Sequence, residues 1–297
     1  METNADGEQN HYLRGGQIQI MVRSTGAELR SLKDMGTGRE YMWQADPAFW
    51  GRTSPILFPI VGGCRNGEYR CDGRTYSLPQ HGFARDMEFE MAGQEQDEIW
   101  LRLTDQESTW ENYPFAFVLE LGYRLRERSV EVMWRVKNPA DRRMYFSIGG
   151  HPAFCVPVRE DGKTTCYIGF DGAKKILSRG IEGGLAADRV REYSLMEGGL
   201  LPVSEELFER DALVIENNQT QKVQLLNEDR KEFLSVAFDA PLFGVWTPPK
   251  KNAPFICIEP WYGRCDRVDF AGSIEEREWG NSLAPGETFE ASYTIAV

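Results

Sequence analysis

Short segments that alternate polar and apolar residues recur along almost the whole chain, and this pattern limits the fold more than any other feature. They are rich in β-branched and aromatic residues, as half-buried strands are. We find no apolar periodicity that predicts a helix of more than two turns. The sequence therefore predicts an all-β fold, a large sandwich of antiparallel sheets. The predicted strands include residues 99–103, 117–121, 123–125, 129–136, 222–226, 233–238, 242–246, 255–258 and 287–295.

Two stretches stand apart from this regular pattern. Asp72-Gly73 separates two short alternating segments, residues 68–71 and 74–77. Both residue types tolerate positive φ, so the pair predicts a type I′ hairpin turn. Residues 171–202 are glycine-rich and weakly patterned, and they predict a long loop with at most a short helix.

The length of 297 residues allows one large β domain, and no low-complexity linker divides it. We expect a polar N-terminal extension over residues 1–16 and a single domain over residues 17–297. The extension lacks the basic start and apolar run of a signal peptide, and no segment approaches the roughly 20 apolar residues of a membrane helix. The expected protein is cytoplasmic, as a monomer or a homodimer.

The net charge of −12 argues against two classes of partner. An excess of carboxylates repels phosphate backbones and anionic lipid headgroups, so nucleic-acid and membrane-surface binding are not expected. The six cysteines form no C-x-x-C pair and are expected to be free thiols. The expected partner is a small molecule, either neutral or met by local basic residues.

Histidine is the side chain best suited to proton transfer near neutral pH, and the chain has only three. His11 lies in the predicted polar extension. His81 lies just beyond the predicted hairpin, in a loop, and His151 lies at or just beyond a strand end, among small residues. Taken singly, each of the last two also fits a structural role, as a loop histidine bonded to a carbonyl or as a half-buried core histidine.

Glu259 ends the apolar run of residues 255–258 and precedes Trp261. A carboxylate held there, beside large rings, would be partly desolvated, which raises its pKa and suits a general base. The structural alternative is an ion pair with Arg264 or Arg267.

Motifs for other chemistries are absent from the sequence. No closely spaced His, Cys or carboxylate partner stands beside His81 or His151, so no metal site is predicted. There is no G-x-S-x-G elbow and no glycine-rich nucleotide motif. The remaining interpretation is acid–base chemistry without a cofactor.

Five blocks of the sequence form a recognisable series. They are, in order, residues 58–62 (FPIVG), 66–69 (NGEY), 78–86 (LPQHGFARD), 146–154 (FSIGGHPAF) and 257–263 (CIEPWYG). Together they resemble the aldose 1-epimerase (galactose mutarotase) family, and within it the LacX-like branch. The resemblance extends from about Gln17 to Ile295, and it implies a β-supersandwich fold with no cofactor.

The resemblance also implies a mechanism. Glu259 matches the family's base, which takes the proton of the anomeric hydroxyl, and His151 matches its acid, which protonates the ring oxygen. The ring then opens, the C1–C2 bond rotates, and the reverse transfers close the other anomer of a hexose. His81 matches a second family histidine that hydrogen-bonds near the ring oxygen. A nearby carboxylate is expected to keep His151 protonated.

Five further residues are candidates for contact with the sugar. Arg85 follows His81 closely, and Asp211 aligns with a family aspartate that orients a hydroxyl. Trp246 and Phe58 are candidate stacking platforms, and Arg52 is a candidate basic contact. Each also has a structural interpretation, as a surface ion pair, a turn carboxylate or a core ring.

Two alternatives to a free-sugar epimerase remain open from the sequence. Hexose-6-phosphate 1-epimerases share the HGFAR block and hold the phosphate with arginines, a role that Arg52, Arg65 and Arg85 could fill. Gly63 stands where many family members carry a basic residue, so one substrate contact is in question. The other alternative is a sandwich that binds carbohydrate without catalysis.

Overall fold

The computed structural model describes residues 2–3, 9–162 and 164–297, and almost all of its regular structure is β-strand. The first strands are β1 (Glu2–Thr3), β2 (Gln9–Gly15), β3 (Ile18–Arg23), β4 (Glu28–Asp34), β5 (Ile56–Leu57), β6 (Glu68–Cys71), β7 (Arg74–Ser77), β8 (Glu90–Gln94), β9 (Glu98–Thr104), β10 (Val118–Arg126), β11 (Ser129–Lys137), β12 (Met144–Phe146), β13 (Ile148–Gly150) and β14 (Ala153–Cys155). The others are β15 (Tyr167–Phe170), β16 (Lys175–Glu182), β17 (Leu185–Ser194), β18 (Leu200–Pro202), β19 (Leu213–Glu216), β20 (Lys222–Leu226), β21 (Glu232–Phe238), β22 (Leu242–Trp246), β23 (Phe255–Tyr262), β24 (Asn281–Leu283) and β25 (Thr288–Ala296).

Helical structure in the described residues is limited to single turns. There is one α-helical turn, α1 (Glu107–Trp110), and none of the described helices is long and apolar enough to cross a membrane. The 3₁₀ turns are Arg65–Gly67, Ala84–Asp86, Glu205–Phe208 and Ile274–Glu276.

Two large antiparallel sheets dominate, which confirms the predicted all-β sandwich. One has nine strands in the order β18-β15-β20-β21-β25-β11-β10-β9-β8, and the other has eight, with the order β17-β16-β19-β22-β23-β13-β5 and β14 also paired with β23. Strands β9, β10 and β11 form the predicted meander. The predicted hairpin joins β6 to β7, with φ of 49° at Asp72 and 73° at Gly73.

The main hydrophobic core lies between the two large sheets. Trp134 of β11, in the nine-stranded sheet, is 2% exposed and meets Tyr262 of β23 with ring centroids 6.3 Å apart. Alternation along each strand directs one set of apolar side chains into this layer. On the far side of the nine-stranded sheet, ion pairs such as Arg102–Glu120 and Arg135–Glu290 join neighbouring strands.

Strand β23 divides its residues between two faces, and this division positions the site. Ile256 and Ile258 belong to the main core, whereas Phe255, Cys257 and Trp261 belong to smaller apolar clusters outside it. Because side chains alternate along a strand, Glu259 shares the second face. The carboxylate is therefore directed away from the main core, toward the outer face of the eight-stranded sheet.

The structure differs from the sequence prediction at residues 9–15. They fall in the predicted polar extension, yet they form β2 and pair with β3. Leu13 and His11 are each 3% exposed, and His11 Nε2 lies 2.8 Å from the Ser24 hydroxyl. The strand was not predicted because its buried positions include polar residues. Met1 and residues 4–8 lie outside the described residues.

Residues 171–202 were predicted as a long loop, and this prediction is wrong. Strands β16 and β17 form a hairpin there, with positive φ at Gly183 and Gly184 in its turn. Most side chains of β17 are exposed, and it is the edge strand of its sheet. An edge strand with little buried surface does not need alternating apolar residues, so its sequence carries only a weak signal.

Candidate active site

A cavity of about 640 Å³ opens on the outer face of the eight-stranded sheet. This volume lies in the range of about 300–1,000 Å³ that is typical of small-molecule sites. Seven of the eight residues proposed from the sequence line it together. These are Glu259, His151, His81, Arg85, Arg52, Asp211 and Trp246.

Glu259 and His151 form a buried pair at the cavity wall. His151 Nε2 lies 3.2 Å from Glu259 Oε2, and the two residues are 8% and 1% exposed. The pairing of β13 with β23 brings them together, since Gly149 lies opposite Trp261 and His151 follows the end of β13. A Cβ at Gly149 would lie 2.5 Å from the Trp261 ring, so only glycine permits this close approach.

The surroundings of the pair favour its uncharged form. Burial raises the pKa of the Glu259 carboxyl well above its usual value, and the Asp211 carboxylate adds to the shift. Burial lowers the pKa of His151 to about 3, with contributions from Arg85 and Arg52. The expectation that the carboxylate keeps His151 protonated therefore does not hold in the free site, because desolvation penalises both charges. Of the two arrangements in which the pair holds one proton, both shifts favour the neutral one, with the proton on Glu259.

The structure removes the alternative interpretation of Glu259 as a partner of Arg264 or Arg267. Arg264 is 2% exposed and its Nε lies 2.7 Å from Glu216. Arg267 pairs with Asp188 and Asp269. Both arginines are thus engaged by other carboxylates.

His81 lines the cavity and carries a hydrogen-bond donor on its ring. Its backbone has a positive φ of 67°, and its Nδ1 accepts a hydrogen bond from the Gly62 N–H at 3.1 Å. Burial holds the pKa of His81 well below its usual value, and His151 adds to this effect. A neutral imidazole that accepts at Nδ1 carries its proton on Nε2. The His81 and His151 rings meet edge to face at 5.7 Å.

Trp50, which no sequence pattern indicated as a site residue, covers one face of the His151 ring. The two rings stack with centroids 4.7 Å apart and planes at 28°. Trp246 meets the same imidazole edge to face, at 5.6 Å. Trp50 lies in the loop before β5, where nothing in the sequence indicates its contact with a residue so far along the chain.

Two arginines contribute positive charge to the cavity. Arg52 Nη2 lies 2.9 Å from Asp86 Oδ1, and Arg85 donates to the Gln80 carbonyl at 2.7 Å. The buried Nε of Arg85 lies 3.7 Å from Asp86 Oδ2 and has no hydrogen-bond partner among the described residues. Arg65 does not join them, because its guanidinium donates to the Phe270 carbonyl and it does not line the cavity.

Asp211 and Gly63 take different positions relative to the cavity. Asp211 lines it, is exposed, and accepts a hydrogen bond from the backbone N–H of Ala212 at 2.7 Å. Gly63 is not among the residues that line the cavity.

Phe58 is not a stacking platform, and this prediction is wrong. Its side chain is 0% exposed and packs against Phe83, Tyr113, Phe117 and Phe146 in the main core. Its carbonyl accepts hydrogen bonds from the Phe83 and Ala84 N–H groups. Phe58 therefore holds the loop that carries His81 and does not contact the cavity.

Known proteins that are similar to this chain share one family. The family model for aldose 1-epimerase matches residues 11–296. Two LacX proteins of Lactococcus lactis subsp. lactis, one chromosomal and one plasmid-borne, are each 30% identical over 295 residues, covering 96% of this chain and 98% of theirs.

Solved structures agree with this assignment. A galactose mutarotase related enzyme from Lactobacillus acidophilus is 34% identical, covers 97% of both chains and superposes with a TM-score of 0.91. A galactose mutarotase-like protein from Lactobacillus casei ATCC 334 also has a TM-score of 0.91, at 26% identity, covering 97% of this chain and 99% of that one. The chain therefore belongs to the aldose 1-epimerase family.

Proposed function

We propose that this protein is an aldose 1-epimerase that interconverts the α and β anomers of a small aldohexose. The observation that carries the proposal is the Glu259–His151 pair, whose facing atoms lie 3.2 Å apart in the wall of a sugar-sized cavity. Anomer exchange requires a proton to leave O1 while another reaches the ring oxygen O5. Both oxygens are bonded to C1, so one close acid–base pair can serve both.

The pair needs only an internal proton transfer to become active. Moving the proton from Glu259 to His151 leaves the net charge unchanged, and sugar hydroxyls can solvate the resulting ions. The Glu259 carboxylate then takes the O1 proton, and protonated His151 gives its proton to O5. The C1–O5 bond breaks as the C1–O1 double bond forms, which yields the open-chain aldehyde.

Ring closure completes the exchange. Rotation about C1–C2 presents the opposite face of the aldehyde to the ring hydroxyl. His151 then takes back the O5 proton and Glu259 returns a proton to O1, which regenerates the ion pair. Transfer of the proton from His151 back to Glu259 restores the starting pair. The N–H at His81 Nε2 would donate to the sugar where negative charge develops, as preorganised donors do in other enzymes.

Optical rotation tests this proposal directly. Freshly dissolved α-glucose and α-galactose should approach anomeric equilibrium faster with the protein than in matched buffer. If rotation is unchanged for every aldohexose tried while calorimetry detects binding, the protein is a carbohydrate-binding module instead.

A second candidate substrate is a hexose 6-phosphate. The observation that favours it is the pair of cavity arginines, Arg52 and Arg85, of which Arg85 has a buried nitrogen without a hydrogen-bond partner among the described residues. Guanidinium groups suit phosphate oxygens well. Acceleration of glucose 6-phosphate anomerisation alone, lost in Arg85→Met, would select this candidate.

A further inference from the structure

A buried thiol lies beside the Glu259–His151 pair and has no role in the proposed reaction. Cys257 Sγ, one ring nitrogen of His151 and one carboxylate oxygen of Glu259 all lie within 4.8 Å of one another. Cys257 is 0% exposed. It stands two residues before Glu259 in β23, on the same face of the strand.

Strand pairing explains how His151 reaches the thiol. His151 follows β13, and the next strand, β14, places Ala153 opposite Cys257. On the other side of β23, Trp246 of β22 is the register partner of Cys257. Strands β14 and β22 thus enclose the thiol from both sides. His151 and Glu259 line the cavity, whereas Cys257 does not.

These three side chains are the ligand types that Zn²⁺ prefers. Zinc binds thiolate, imidazole and carboxylate at about 2.0–2.3 Å, so tetrahedral ligand atoms lie about 3.3–3.8 Å apart. The observed spread, up to 4.8 Å, closes to this range with shifts of about 1 Å. A fourth position would face the cavity and take water.

Two buried polar atoms of these residues lack a hydrogen bond. Glu259 Oε2 and His151 Nδ1 are buried and have no hydrogen-bond partner among the described residues. Buried polar atoms of this kind are rare, and an ion is one of the groups that satisfies them.

We propose that Cys257, His151 and Glu259 form an inhibitory site for Zn²⁺ or another thiophilic divalent cation. Binding displaces the thiol proton and the proton of Glu259, and it occupies the proposed acid and the proposed base together. The cation and the sugar therefore compete. Mg²⁺ and Ca²⁺ prefer oxygen ligands only, and they do not bind here.

Cation binding is tested first, because it does not depend on the proposed function. Titration with Co²⁺ should give one thiolate-to-cobalt charge-transfer absorption per chain, reversed by Zn²⁺ but not by Mg²⁺. Cys257→Ser should weaken Co²⁺ binding at least about tenfold, since loss of even outer-shell partners costs about 10–100-fold. Cys257→Ala is the second variant, and circular dichroism checks that both are folded.

Cys265→Ser is the matched control, because Cys265 also lines the cavity but lies outside the cluster. It should keep the cobalt band. A band that survives in the folded Cys257 variants, or that disappears in Cys265→Ser, would overturn the site.

Inhibition by the bound cation rests on the proposed function and has its own readout. Zn²⁺ should slow anomerisation reversibly, with an apparent inhibition constant that rises with sugar concentration. In Cys257→Ser the inhibition constant should be at least about tenfold higher than in wild type. Equal inhibition of wild type and Cys257→Ser would overturn it. A protein that binds Co²⁺ through Cys257 but accelerates no anomerisation would retain the cation site and refute only the proposed reaction.

Discussion

His151 Nε2 lies 3.2 Å from Glu259 Oε2, and desolvation shifts the pKa values of both groups in favour of their uncharged forms. In water at neutral pH, a glutamate would be ionised and a histidine would be mostly neutral. Here burial lowers the pKa of His151 and raises that of Glu259, so the pair holds a single proton over a wide range of pH. The proposed reaction requires one acid and one base, and a pair that holds a single proton supplies both.

The first prediction concerns pH. Below the lowered pKa of His151, about 3, the pair gains a second proton and loses its base. Above the raised pKa of Glu259 it loses its only proton and thus its acid. We expect kcat/KM for the free enzyme to hold level from neutral pH down past 5 and to fall on the alkaline side. Buffer-subtracted polarimetry measures this profile, and an acid limb near 6.5 would contradict it.

The second prediction concerns Trp50, whose ring stacks on His151. Trp50→Leu should lower kcat about 10–100-fold, because an imidazole free to tilt is displaced from the reacting oxygen. The KM should change less, since the hydroxyl contacts remain. Trp110→Leu is the control, because Trp110 is 44% exposed in α1 and does not line the cavity. Equal loss in both variants would argue against a positioning role.

The third prediction separates the two nitrogens of His81. Asparagine can replace the Nδ1 acceptor of the Gly62 N–H and tolerates the positive φ, but it cannot supply the Nε2 donor. His81→Asn should therefore keep a melting temperature close to wild type while kcat falls about 10²-fold or more. Glutamine reaches the Nε2 position, so His81→Gln should be more active than His81→Asn. The reverse order would refute the assigned tautomer.

The fourth prediction concerns stability away from the reaction. Arg277 Nε lies 2.7 Å from Asp266 Oδ1, and both side chains are almost fully buried. Arg277→Leu leaves a buried carboxylate without its charge partner, so the free energy of unfolding should fall by about 3–5 kcal/mol. Arg159→Ala breaks an exposed ion pair with Glu228 and should cost less than about 1 kcal/mol. Urea unfolding compares them, and equal costs would contradict the burial argument.

Some parts of the fold could be predicted from the sequence because one face of each strand is buried. Strands β10 and β11 alternate clearly, and the turn at Asp72-Gly73 requires positive φ at both positions. Strand β17 is largely solvated, so its sequence did not need to alternate, and the hairpin was missed. Strand β2 was missed for a related reason, since its buried side chains include His11.

In the site too, residues in local sequence motifs could be predicted, whereas contacts between distant segments could not. Glu259, His151 and His81 carry recognisable local sequence and were proposed from it. Phe58 was assigned to the cavity because adjacency in a motif does not reveal which way a ring points, and here it points into the core. The contact of Trp50 with His151 depends on how β13 meets the loop before β5, which only the folded chain shows.

The most direct test of the account compares the anomerisation rate of Glu259→Gln with that of wild type. Glutamine keeps the shape of the side chain but can neither take nor return a proton. With α-glucose or α-galactose, kcat/KM should fall about 10²–10⁴-fold, while the exposed Glu275→Gln stays at the wild-type value. A folded Glu259→Gln that retains more than about a tenth of wild-type activity would contradict the assignment of Glu259 as the base.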